Sequence, residues 1–242
     1  MKRFKKFKVS WLFISILLTI VACNEKDDPL SASGDVIYVK KASGDYPVFG
    51  VSYHVLANKA LSSANVILPY GNVLELKQNA TNTYLFENEP SDSDFTSSEP
   101  SAGDYVFNIV SESGEQIEVF EQQKFDNLQF AEIDSMDFDE ENDWLGMRWK
   151  EVDGAGVYTI MLLKLSGETI FNGYNIDATK GHKYAISYFH HTGSWSEAPQ
   201  KGNRYNLKIT AMKFDEDAVD NMDIFNIQEI SEYVQEITWE LE

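Results

Sequence analysis

Histidine and cysteine, the side chains that most often act as metal ligands or nucleophiles, are scarce in this chain of 242 residues, which has four histidines and one cysteine. Only His190 and His191 are adjacent, while His54 and His182 stand alone. Adjacent strand residues point to opposite faces of a sheet, so one metal ion would not easily bind both. A catalytic triad also needs convergent partners. We therefore expect His190 and His191 to lie in an exposed loop, with no metal site.

Motifs for catalysis are absent as well. The sequence contains no Gly-x-Ser-x-Gly, no His-Glu-x-x-His and no Gly-rich phosphate-binding loop. Pairs of carboxylates, as used in glycoside hydrolysis, occur in any protein with 39 acidic residues, but none here stands in an apolar setting that would raise a pKa. We therefore expect a protein that is not an enzyme and carries no cofactor.

An acidic run lies in the middle of the chain. Its carboxylates are Asp134, Asp137, Asp139, Glu140, Glu141 and Asp143. Such a density of carboxylates can ligate Ca²⁺, but the run lacks the Gly and the terminal Glu at EF-hand spacing. The pattern favours a solvated acidic loop, and calcium binding there stays an open alternative.

One aromatic residue falls outside the strand patterns. Trp195 follows a Gly-Ser pair, in a segment where no strand period accounts for it. An exposed Trp can stack on a sugar ring or anchor a partner protein. We take Trp195, with Tyr188 and His191 of the same segment, as candidate ligand-binding residues. The alternative is that Trp195 folds back and caps the core of its domain.

The elements that would position these residues follow a leader. Its first eight residues carry five basic side chains: Lys2, Arg3, Lys5, Lys6 and Lys8. An apolar run over residues 9–22 follows, which is the pattern of a secretory signal peptide. A membrane-spanning helix needs roughly 20 apolar residues, so this run is too short to favour one. Residues 1–22 are therefore predicted to be a signal peptide.

The end of the leader, Ile20-Val21-Ala22-Cys23, resembles the lipobox of bacterial lipoproteins. The resemblance implies that Cys23 becomes the mature N-terminus and is acylated, for example with palmitate, so that acyl chains hold the protein on a membrane. The polar residues 24–28, a Lys among acidic residues, are similar to the surface-export signal of Bacteroidota lipoproteins. This implies an outer-membrane location, facing the cell exterior. Residues 23–34 are then a lipidated, flexible tether.

Composition limits the partners of the mature chain. Without the five basic residues of the leader, the formal net charge of −19 becomes −24, and such a surface repels nucleic acid. Hydrophobic residues make up 43% of the chain, enough for packed cores in two domains. Cys23 is the only cysteine, so disulfides and Cys-based zinc sites cannot stabilise the body of the protein.

Residues 35–124 read as one β-module. Residues 104–110 and 117–120 alternate in polarity around a Gly-containing turn, which is typical of a β-hairpin. The sequence Ala102-Gly103-Asp104-Tyr105 resembles the tyrosine corner of immunoglobulin-like sandwiches. The resemblance implies that the Tyr105 hydroxyl bonds back to the upstream backbone.

Residues 125–242 read as a second β-module, with a first strand expected at 128–133. Trp149, a short turn containing Gly154, and Tyr158 resemble the B–C hairpin of fibronectin type III domains. Trp149 is expected to fill the space between two sheets. Residues 205–211 resemble strand F of that family, residues 214–233 predict a long connection, and residues 237–241 predict the last strand.

These patterns predict an all-β fold with two tandem β-sandwiches, immunoglobulin-like and then fibronectin type III-like. Fold does not determine function on such scaffolds. We expect a non-catalytic cell-surface module for binding or adhesion, with the loops of the second sandwich as its contact surface. Its partners would be the membrane, through the lipid, and a glycan or a surface protein. The alternatives are a glycan-binding accessory lipoprotein of a polysaccharide-uptake system and an envelope spacer or assembly protein.

Overall fold

The chain folds almost entirely into β-strands. The computed structural model describes residues 28–43, 46–215 and 226–241. Among these, the first eight strands are β1 Ala32–Ser43, β2 Tyr46–Ala57, β3 Leu61–Ile67, β4 Val73–Glu75, β5 Lys77–Gln78, β6 Leu85–Asn88, β7 Gly103–Ser111 and β8 Gln116–Gln123. The others are β9 Ile133–Asp139, β10 Trp144–Trp149, β11 Val157–Lys164, β12 Thr169–Gly173, β13 Ile176–Asp177, β14 Lys183–Ile186, β15 Gly193–Trp195, β16 Arg204–Phe214 and β17 Ile227–Thr238. Short 3-10 turns occupy Asp92–Asp94 and Ala178–Lys180.

The first sandwich packs strands β1, β2, β6 and β5 against a second layer in the order β4-β3-β7-β8. The period-two pattern of β7 buries Tyr105, Phe107 and Ile109 on one face, where they meet Val36 and Val55 of the opposite layer. The predicted hairpin is confirmed, because β7 and β8 pair antiparallel along their length.

Tyr105 forms the predicted tyrosine corner. Its hydroxyl donates to the carbonyl oxygen of Ser101 at 2.7 Å. The Tyr38 hydroxyl donates to the same carbonyl at 2.7 Å, and the two hydroxyl oxygens lie 3.4 Å apart. Burial raises the pKa of both tyrosines, so both stay protonated donors at neutral pH. The shared acceptor therefore ties β1 to the segment that leads into β7.

The second sandwich packs the strands β15-β12-β11-β16-β17 against a three-stranded sheet in the order β14-β10-β9. Trp149 fills the space between them, as predicted, with its ring 5.2 Å from that of Tyr158 in an edge-on arrangement. The turn between β10 and β11 requires Gly154, whose φ of 80° favours a residue without Cβ. The Tyr158 hydroxyl accepts a hydrogen bond from the Val152 amide at 3.0 Å and so holds this turn on the core. The predicted fold class, all-β with two sandwiches, is confirmed.

The two sandwiches share one sheet. Strand β1 pairs antiparallel with β2 over its whole length, and it also pairs parallel with β17, so that Tyr38 lies beside Glu229 and Lys41 beside Glu232. The large layers of the two sandwiches are therefore halves of a single ten-stranded sheet. The first and the last strand of the described chain meet at its centre.

Glu229 of β17 holds the segment that links the sandwiches. The side chain is buried, with an exposed fraction of 2%. Its carboxylate accepts hydrogen bonds from the backbone amides of Asp126 and of Leu128, the second at 2.7 Å. Such charge-assisted bonds are stronger than neutral ones, so the linker is fixed on the shared sheet.

Lys40, on the neighbouring strand β1, contacts the same linker. Its buried ammonium donates to the Asn127 side-chain oxygen at 2.7 Å and to the Leu128 carbonyl at 3.1 Å. Burial lowers the pKa of Lys40, and the negative charge of Glu229 opposes that effect. Ser231 adds a hydrogen bond to the Gln129 carbonyl at 2.7 Å. We call Lys40, Glu229 and Ser231 the junction cluster.

The structure corrects the expected extent of the tether. Leu30 is buried in the first core, and its amide donates to a Glu115 carboxylate oxygen at 3.3 Å. The Asn58 side chain binds the Pro29 carbonyl and the Ser31 amide, each at 2.9 Å. Residues 29–34 therefore belong to the first sandwich, because an apolar side chain and a bidentate amide hold them there.

The acidic run is not the predicted loop. Asp134, Asp137 and Asp139 lie on β9, an edge strand, and only residues 140–143 turn toward β10. The strand expected at 128–133 is instead an irregular linker up to Ala131, which is buried in the core, and β9 begins at Ile133. Edge position and outward side chains make this acidity compatible with a strand.

The last strand is longer than predicted and starts earlier. Residues 227–238 all belong to β17, so the predicted connection over 214–233 shortens to residues 215–226. Most of that connection, the predicted signal peptide and Cys23 lie outside the described residues. The described part of the chain holds no helix with the length and apolarity to cross a bilayer.

Candidate ligand-binding groove

Trp195 lies on β15, at the edge of the large sheet, rather than in a loop. Its ring is half-buried and packs 4.5 Å from Phe171 and 6.2 Å from Trp239, measured between ring centroids. The indole N–H donates to the Ser187 carbonyl at 3.0 Å. Within the protein, Trp195 thus has ring contacts and a hydrogen bond, which makes it part of the margin of the core.

Tyr188 and His191, the other two predicted site residues, lie on the loop between β14 and β15. The Tyr188 ring is half-exposed and lies 5.6 Å from Trp195, so the structure brings these two together. His191 is exposed, as is His190, whose ring lies 6.5 Å from that of Trp144. The loop therefore leads toward a different surface, the outer face of the three-stranded sheet.

That outer face results from the alternation of β10. Leu145, Met147 and Trp149 point into the core, so Trp144 and Arg148 point away from it. The residue between them on the outer face is Gly146. A large side chain therefore stands at each end of the strand with a gap at its centre.

The gap continues onto the neighbouring strands. Gly146 pairs with Asp137 of the edge strand β9 and with Ala185 of β14. These positions are part of an open groove of about 710 Å³. A Cβ at Gly146 would meet only the Asp137 carbonyl oxygen, at 3.8 Å, so the groove floor is open space and not a tight contact.

Several charged side chains of the groove have no partner among the described residues. Asp137, Arg148 and Lys183 form no hydrogen bond or ion pair with any of them, although Arg148 and Lys183 lie side by side on paired strands. Asp139 differs, since the side-chain amide of Asn142 donates to its carboxylate at 2.7 Å and lowers its pKa. The groove thus offers one free carboxylate and two free cations to a ligand.

Tyrosines and backbone form the side of the groove next to β14. The Tyr184 hydroxyl accepts a hydrogen bond from the Tyr174 amide at 2.9 Å and donates to the Thr192 carbonyl. Burial raises the pKa of Tyr184, which keeps that donor protonated. These bonds fix the segment that carries Tyr174, whose side chain is exposed at the groove margin. The margin is therefore preorganised.

The groove is not predicted from the sequence, although the pattern of outward residues on β10 is part of it. In the β10 sequence Trp-Leu-Gly-Met-Arg-Trp, the outward positions carry a large side chain, then no side chain, then a large side chain. Its neighbours across the sheet come from distant parts of the chain. Across the described residues, no group of three or more His, Cys, Asp or Glu side chains converges as a metal site would require.

The sequence matches no model of a known protein family and no curated protein sequence. Among solved structures, the chain is similar to a segment of two fibronectin type III domains from chicken tenascin, with 11% identity over 87% of this chain and 97% of that one and a TM-score of 0.29. A tetra-tandem repeat from the extending region of a large adhesion protein is 10% identical over 86% of this chain and 49% of its own, with a TM-score of 0.26. Dimeric latent PorU from Porphyromonas gingivalis is 9% identical over 88% of this chain and 20% of its own, with a TM-score of 0.29.

Proposed function

We propose that this protein is a non-catalytic binding or adhesion module of the bacterial cell surface. It is held in the outer membrane by acyl chains on Cys23 and faces the exterior. The contact surface is the groove on the outer face of the three-stranded sheet, in place of the loops of the second sandwich. The observation that carries the proposal is the set of unpartnered charges beside an open floor at Gly146.

The groove has features of binding without those of catalysis. Its two cations and its unpartnered carboxylate, Asp137, are solvent-exposed, and no His or Cys is among the described residues that line it. A general acid or base at neutral pH needs an environment that shifts its pKa, such as an apolar pocket. Asp139, the groove carboxyl with a shifted pKa, is shifted downward and so stays ionised. Such a groove can orient a ligand but has no evident means to activate one.

Attachment is tested first. The full chain is expressed in a Bacteroidota host with Cys23 or with Cys23→Ser, and lipid labelling, membrane fractionation and external protease access are measured. The wild type is expected to incorporate label and to be cleaved by protease on intact cells. An unlabelled wild type contradicts the anchor, and a labelled but protected one contradicts the outward orientation.

Binding is tested with the soluble mature chain, residues 24–242, on immobilised polysaccharides and extracellular proteins. Retention of wild type on at least one surface, lost with Gly146→Val and with the bound material unchanged in mass, supports the proposal. Retention that survives Gly146→Val places the contact surface elsewhere and overturns it, as does retention on none of the surfaces. A bound ligand that is cleaved contradicts the non-catalytic assignment.

A further inference from the structure

We propose that the groove binds a saccharide chain. This inference rests on the proposed function, because it specifies the ligand class of the same surface. It starts from four properties of the residues that line the groove. These are two exposed aromatic rings, a floor without bulky side chains, unpartnered hydrogen-bond donors and acceptors, and a margin fixed by hydrogen bonds.

The aromatic rings stand at the margin of the groove. Trp144 is 38% exposed and Tyr174 is 56% exposed, so both keep accessible ring surface. The C–H faces of a pyranose ring are apolar and flat, and they pack on an aromatic face while the hydroxyls stay in the ring plane. Two such rings on one surface can hold two points of an extended chain.

The floor has space for such a chain. Trp144 and Arg148 are four residues apart on β10, which separates them by roughly 14 Å along the strand. Between them lie Gly146 and, on the adjacent strand, the methyl group of Ala185. A length of that order with a shallow floor suits a short oligosaccharide and leaves its ends open to continue along the surface.

The polar groups match the hydroxyls of a sugar. A hydroxyl donates and accepts, so it can bind the Asp137 carboxylate as a donor and the Arg148 guanidinium or the Lys183 ammonium as an acceptor. These three charged groups have no partner among the described residues. Their order, with carboxylates toward Trp144 and cations toward the other end, also permits a uronate carboxylate at the cationic end.

Other ligand classes fit less well. A protein partner usually buries large apolar or aromatic anchors in well-packed pockets, whereas this floor is shallow and its sides are charged. A nucleic acid would place its phosphates near Asp137 and Asp139. We therefore commit to a saccharide and treat a protein ligand as an outcome of the test.

The test is native affinity electrophoresis of the mature chain, residues 24–242, through gels that contain a neutral polysaccharide (xylan, galactan or mannan) or a polyuronate (polygalacturonate or alginate). We expect retardation in at least one gel. Trp144→Ala and Tyr174→Ala should raise the apparent dissociation constant at least tenfold. Tyr70→Ala, which removes an exposed tyrosine from the first sandwich, is the matched control and should change nothing.

Gly146→Val places a side chain on the groove floor. This variant distinguishes a loss of binding from a loss of folding. It should abolish retardation while the thermal unfolding midpoint stays at or above the wild-type value, because a strand position with open space accepts a β-branched residue. Arg148→Gln with Lys183→Gln should weaken polyuronate binding more than neutral binding if the cationic end holds a carboxylate.

The outcomes distinguish the two proposals. Retardation that persists in Trp144→Ala, Tyr174→Ala and Gly146→Val overturns the saccharide inference. If no gel retards the wild type but a protein ligand is retained in a way that requires Gly146, the inference is wrong and the proposed function stands. If neither kind of ligand is retained, both are wrong.

Discussion

The junction cluster and the groove are both polar regions on the sheets of this protein, but they are built in opposite ways. At the junction, the charged groups of Lys40 and Glu229 are buried, and hydrogen bonds to the linker satisfy them. In the groove, Arg148 and Asp137 are exposed and have no partner in the described chain. A buried charge must be paired inside the protein, whereas an exposed one is free to bind something else. The junction cluster therefore stabilises the fold, whereas the charged groups of the groove are available to a ligand.

The pairing of β1 with β17 at the junction also joins the two sandwiches through a shared sheet. Strand β1 lies between β2 and β17, so it is hydrogen-bonded to both sandwiches at once. Separating the two sandwiches would therefore have to break the pairing of β1 with β17.

The largest expected effect is at the junction. Glu229→Ala leaves the amides of Asp126 and Leu128 without their acceptor and leaves Lys40 without its nearby negative charge. A hydrogen bond to a charged group contributes about 1.5–3 kcal/mol, so losing two of them at a buried site should lower the free energy of unfolding by roughly 3–6 kcal/mol. Urea denaturation followed by tryptophan fluorescence measures it.

Glu236→Ala is the control for that variant. Glu236 lies on the same strand but pairs with Arg204 at the surface, where an ion pair contributes about 0–1 kcal/mol. Equal losses for the two variants would mean that burial does not distinguish the junction cluster from the surface of the protein.

Asp35 tests the cost of a buried carboxylate whose negative charge is only partly offset by its surroundings. Burial, with the negative charges of Asp215 and Glu121, raises its pKa to about 8 against the lowering effect of His54, which corrects the expectation that no carboxylate pair lies in a setting that raises a pKa. An unfolded carboxyl loses its proton near pH 4, so the folded state binds more protons between pH 4 and pH 8 and its stability falls as the pH rises through that window. Asp35→Asn removes this penalty.

We expect Asp35→Asn to match the wild type near pH 4 and to exceed it at pH 8 by at least about 1.4 kcal/mol, the value of one pKa unit. The raised pKa of His54 adds a slope of the same sign, and Asp35→Asn also removes one of the negative charges that raise this pKa. The pKa of His54 is raised because the hydrogen bond to Glu89 and nearby negative charges outweigh the opposing effect of burial. Thermal unfolding at the two pH values measures the difference, and parallel pH profiles would refute it.

An intermediate effect on the free energy of unfolding is expected at the Ser101 carbonyl, which accepts hydrogen bonds from two tyrosines. Tyr105→Phe leaves the Ser101 carbonyl bonded to Tyr38, so the loss should be about 1 kcal/mol. Tyr38→Phe should cost a similar amount, and the double variant should cost more than the sum because the carbonyl then has neither donor. A double-mutant cycle in urea measures the coupling, and strict additivity would show that the two bonds are independent.

The smallest effect on stability is expected in the groove. Gly146→Val places a side chain in open space on a strand, so the free energy of unfolding should stay unchanged or rise by up to about 1 kcal/mol. Arg148→Gln should change it by less than about 0.5 kcal/mol, as is usual for surface substitutions. A loss comparable to that of Glu229→Ala would show that the groove residues serve the fold.

The sequence by itself determined the features that depend on local periodicity. Alternation along β7, β8 and β10 places Phe107 and Trp149 inside, and the Gly-containing turn with its Tyr was readable from about ten residues. Alternation cannot tell how two outward faces are used, because a solvated face and a binding face have the same polar pattern. For that reason the sequence pointed to Trp195, whose ring lies at the margin of the core, and did not point to Trp144 on the outer face of β10.

Only the tertiary structure decided the rest. The parallel pairing of β1 with β17 and the linker contacts of Glu229 join residues about 100 or more positions apart, and no short sequence period records such pairings. The groove likewise needs β9, β10 and β14 side by side before the gap at Gly146 becomes a concave surface. Local pattern determines which way a side chain points, and the assembled sheet determines what it meets there.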